Sequence, residues 1–160
     1  CDFTINNLSL NTEKNIIVNW LKSLKSNDND FIKLYCWGAA EKNYINYMRI
    51  KYPDIIFPKL IILDILEFFR KEPIILKDCF NFSLKTIAKK MKEYDFIKTG
   101  WDETDNALDA MIRFKEILNY NIGKNVPIKR YVEIREIVNY NKVDCVVLAE
   151  IIQFLREKYL

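Results

Sequence analysis

Two apolar runs, "FIKLYCW" (31–37) and "KLIIL" (59–63), stand on either side of one segment with helical periodicity, and that order constrains the fold more than any other feature. The second run is apolar on both faces, as in a strand buried inside a sheet. Between the runs, Gly38 turns the chain into a helix expected over 39–51 with Ile45 and Met48 inward, and Pro53 and Pro58 bracket the return loop. Strand, helix and strand in this order make a crossover unit whose strands run parallel.

Upstream, residues 1–5 alternate and read as another strand. "NTEKNIIVNWLKSLKS" then places Ile16, Ile17, Trp20, Leu21 and Leu24 on one stripe, so it reads as an amphipathic helix with Asn11 or Thr12 as its cap. "DILEFFRK" follows the second run. Helices are expected over 83–94, 104–120, 130–139 and 142–159, separated by loops carrying Pro73, Gly100, Gly123 and Pro127. The expected fold is α/β: a parallel or mixed sheet with flanking helices and a helical C-terminal half. Three strands make a thin sheet. The first residue is Cys rather than Met, so residues 1–160 are expected to be a single domain cut from a longer chain, with strands that would widen the sheet missing.

Composition narrows the chemistry. Half of the 160 residues are apolar, and three glycines and four prolines leave little room for disorder. A net charge of +3 admits a polyanion partner without arguing for one, because cations and acids alternate along the chain. No apolar run approaches the ~20 residues that span a bilayer, and no signal-peptide pattern opens the chain. The expectation is an intracellular protein, cytoplasmic or nuclear, not secreted and without a membrane partner, its thiols reduced. There is no histidine, and the four cysteines form no CxxC pair. Zinc sites, histidine bases and Ser-His or Cys-His nucleophiles are thereby excluded. Carboxylates, Lys, Tyr and a bound hard cation remain.

Three acids occupy positions of interest. Glu41 lies in the first turn after Gly38, where the helix dipole favours an acid, yet it shares a stripe with Tyr44, Ile45 and Met48 and so is expected to face inward. Asp64 ends the apolar strand as the N-cap of "DILE", with Glu67 three positions on. Asp144 shares a stripe with Val147, Leu148, Ile151 and Leu155. It is either the third helical residue after an Asn141 cap or a carboxylate turned inward toward a cation. Tyr140, one turn earlier, puts a phenol on the same face. Taken singly, it is an ordinary aromatic at the edge of a core.

"YNKVD" (140–144) resembles the third motif, Tyr-x-x-x-Asp, of the DEDDy-type 3′–5′ exonucleases with a ribonuclease H-like fold. "LYCWGAAEKNYI", "LIILDILEFFRKEPI", "FSLKTIAKKM", "DNALDAMIRFKEIL" and "YNKVDCVVLAEIIQFL" resemble, in order, the blocks of ribonuclease H-like nucleases attached to RecB-type nuclease or helicase modules. The similarity covers about residues 10–160, in blocks that are each short. It implies Glu41 and Asp144 as metal ligands, Tyr140 as the phenol that aligns an attacking water, and Asp64 as a structural or supporting aspartate. It also implies Lys85, of the Ser-Leu-Lys segment, and Trp37 as nucleic-acid contacts; a solvated helix lysine is the plainer reading of Lys85.

Two Mg²⁺ or Mn²⁺ ions would serve as cofactors, DNA or RNA as substrate in repair or replication, and helicase or RecB-like modules in the same chain as partners. The family's first motif, Asp-x-Glu, is lacking. Asp2-Phe3-Thr4 is the nearest approach, with threonine for glutamate, and Cys36 and Trp37 replace the usual histidine and tyrosine. The full metal cage is therefore expected only with an Asp-x-Glu before Cys1, and this segment alone is expected to be catalytically incomplete. The alternative is a catalytically inactive ribonuclease H-like module that binds nucleic acid or a protein partner.

Overall fold

The computed structural model describes residues 9–24, 31–72, 74–101, 107–121 and 126–159. Its elements are α1 (Leu10–Ser23), β1 (Ile32–Cys36), α2 (Ala40–Lys51), β2 (Leu60–Asp64), α3 (Ile65–Lys71), α4 (Leu84–Glu93), α5 (Ala107–Tyr120), a 3₁₀ turn (Ile128–Arg130) and α6 (Val132–Tyr159). The strand expected at residues 1–5 lies outside the described residues, as do Asp2 and Thr4.

The chain divides into two compact units, Cys1–Leu24 with Trp101–Lys142, and Lys25–Gly100 with Val143–Leu160. In the first, Ile17, Ile128 and Ile134 are buried. Asn121, at the end of α5, is buried too, and both ends of its side chain are bonded: its amide N–H₂ donates to the Val126 carbonyl at 2.8 Å and its oxygen accepts from the Tyr131 hydroxyl at 3.3 Å. Paired this way, the side chain avoids the cost of an unsatisfied polar group. Helix α1 starts one turn earlier than its apolar stripe suggests. Ser9, not Asn11 or Thr12, is the cap, and its hydroxyl accepts the Thr12 N–H at 3.1 Å.

The second unit holds the crossover. β1 and β2 pair in parallel from Ile32 opposite Leu60 to Cys36 opposite Asp64. Apolar side chains of α2 (Ile45, Met48), α3 (Phe69), α4 (Ile87, Ala88, Met91) and the second half of α6 (Val147, Ile151, Leu155) form its core. Helix α4 repeats the start of α1, with the Ser83 hydroxyl accepting the Thr86 N–H at 3.1 Å. It ends in a Schellman motif, Phe96 N–H to the Met91 carbonyl and Asp95 N–H to the Lys92 carbonyl, with Asp95 left-handed at φ 58°.

Helix α6 corrects the sequence reading. A break between 139 and 142 was expected, but the helix runs unbroken for 28 residues. No glycine or proline occurs from Val132 onward. Asn139 and Asn141 oppose a helix by only about 0.7 kcal/mol each relative to alanine, which a continuing apolar stripe outweighs. Asn141 is therefore an interior residue and caps nothing.

Candidate functional site

The carboxyl edge of the parallel pair gathers several polar groups, and one carboxylate organises it. Asp64 Oδ1 accepts the Gly38 N–H at 2.8 Å and the Glu67 N–H at 3.3 Å. It thus caps α3 and at the same time ties down the turn that follows β1. Gly38 sits at φ +99°, a region open to glycine and costly to other residues. The expected Asp64–Glu67 cap is present. Glu67 does not complete it as a box, because its side chain pairs with Lys71 at 2.6 Å.

Opposite Asp64, the buried Cys36 thiol donates to the Gly38 carbonyl at 3.2 Å. Burial, then the negative charges of Asp64 and of Glu41, push its pKa up to about 11, with Lys42 opposing. The thiol is neutral at physiological pH and therefore a poor nucleophile. Both Asp64 and Glu41 therefore act electrostatically on Cys36.

Glu41 itself is exposed, against the expectation that it faces inward. It has the angular position of Ile45 and Met48, which are 4% and 3% exposed, but stands in the first turn of α2, one turn before them. Position on a stripe gives direction; only a neighbour at that height gives burial.

Tyr140 and Asp144 are half-buried, one turn apart on the unbroken α6. With no cap at Asn141, Asp144 is a carboxylate in the interior of a helix, on the stripe of the buried Val147 and Ile151. Further along, Arg156 donates to the Tyr35 hydroxyl of β1 and lies over its ring at 5.3 Å. Arg156 is twelve residues past Asp144, about 18 Å along the axis.

The donor chemistry suits Mg²⁺ or Mn²⁺, which take hard oxygen ligands. The number of donors does not suffice. Among the described residues no group of three His, Cys, Asp or Glu comes together to hold a metal ion, and Asp64 Oδ1 already accepts two N–H groups. Glu41 and Asp144 do not constitute a two-ion cage by themselves, so no catalytic step follows from them alone.

The two residues expected to contact nucleic acid differ. Lys85 is exposed on the first turn of α4. Trp37 is half-buried, its ring 5.2 Å from that of Phe69 and its indole N–H donating to the Phe82 carbonyl at 2.9 Å. It fastens the turn after β1 to the segment before α4.

Sequence reasoning passed over Glu150. Its Oε2 accepts the N–H groups of Lys98 and Thr99 at 2.8 and 2.9 Å, and its Oε1 accepts the Thr99 hydroxyl at 2.6 Å. Like Asp144, it is an acid bordering the buried stripe of α6, and that signal was available. Its partners were not, since they lie about fifty residues earlier. Among the described residues no helix is long and apolar enough to cross a membrane.

Compared with protein-family models, with curated proteins and with solved structures, the chain gives no match in any of the three.

Proposed function

We propose that the chain is part of a metal-dependent nuclease of ribonuclease H-like fold that hydrolyses phosphodiester bonds in DNA or RNA, in the manner of a 3′–5′ exonuclease. The observation that carries the reading is Asp144, a half-buried carboxylate inside an unbroken helix, with the Tyr140 phenol one turn earlier on the same face. The parallel β1–β2 pair supports it, because sites in such sheets form at the carboxyl ends of the strands, where Asp64 and Glu41 are found. In this reading Glu41 and Asp144 are two of the metal ligands and Tyr140 orients the water. Two more carboxylates, an Asp-x-Glu pair, are required in this reading. Divalent ions, when bound by the completed set, would activate the water and stabilise the leaving oxygen.

The second reading is an inactive module of the same fold that binds nucleic acid or a protein. It is favoured by the lack of any three converging ligands among the described residues.

One experiment divides the two. The longest natural chain containing these residues is incubated with Mn²⁺ and end-labelled single-stranded DNA and RNA, beside its Asp144→Asn variant. The nuclease reading expects shortening from the 3′ end that falls at least a hundredfold in the variant. Equal rates, or no cleavage together with metal-independent binding, remove it.

A further inference from the structure

We draw no further inference here: the strongest candidate, the flank of α4 on which Lys85, Lys89 and Lys92 stand exposed one turn apart, is a basic surface patch, and nothing in the structure shows what covers it.

Discussion

Glu150→Ala is expected to destabilise the protein by about 3 kcal/mol, and the figure follows from the bonds that the carboxylate makes. Lys98 N–H, Thr99 N–H and the Thr99 hydroxyl all point at it, at 2.6–2.9 Å. A hydrogen bond to a charged acceptor contributes about 1.5–3 kcal/mol when its donor is withdrawn from water. Thr99 is half-buried and Lys98 exposed, so water replaces part of what alanine removes, and the total falls below the ~4.5 kcal/mol that three such bonds would give at their weakest, to about 3 kcal/mol. Glu150→Gln should cost only about 1 kcal/mol: the amide oxygen still accepts both N–H groups, and the amide N–H₂ donates to a Thr99 hydroxyl turned round to accept.

The pair of variants also predicts a pH dependence. Burial alone would raise the pKa of Glu150, but the Thr99 hydroxyl, the Thr99 and Lys98 N–H groups and the Lys98 charge together hold it below its ordinary value of 4.5. A group with a depressed folded-state pKa stabilises above its unfolded pKa and loses that contribution as pH falls through the folded one. Parent and Glu150→Gln should therefore differ at pH 7 and draw together as pH falls below 4.5 and through the depressed folded-state value. Urea denaturation followed by circular dichroism at pH 7 and pH 3.5 measures both effects. An alanine cost below 0.5 kcal/mol, or a parent-to-glutamine difference unchanged by acid, refutes the reasoning.

Other outcomes can be checked with the same denaturation assay or with chemical labelling. Asp64→Ala removes the acceptor of both the Gly38 and Glu67 N–H groups and should cost about 2–3 kcal/mol, while Asp64→Asn, which keeps an oxygen acceptor, should cost about half that. Asp95→Gly relieves a left-handed residue at the end of α4 and should stabilise by about 0.5–1 kcal/mol, read as a higher urea midpoint at constant slope. Iodoacetamide at pH 8 should alkylate the exposed Cys145 and leave the buried Cys36 intact in the folded protein, because a thiol pushed up to about 11 is ionised to only about one part in a thousand; peptide mapping by mass spectrometry reads the difference.

Features that depend on near neighbours were legible in the sequence. The runs around Leu34 and Ile62 are strands because they are apolar and short. Helices α2 and α4 begin and end within a residue or so of their expected bounds, because the period of a helix is local and Gly38 marks the start of α2. Asp64 caps α3 because a cap acts on the next three residues. The inward direction of Ile45, Met48, Val147 and Ile151 follows from the 3.6-residue period alone.

What the tertiary structure decided depends on groups distant along the chain. Whether α6 breaks at Asn141 turns on packing along both halves of the helix, which outweighs a weak local preference. Glu41 is exposed although its angular position matches that of two core residues. Trp37 is spent on the Phe82 carbonyl and the Phe69 ring, and Glu150 on the Thr99 loop. A periodic pattern gives the direction of a side chain from the backbone geometry of its own element; burial, partners and charge state come from the other elements that fold against it.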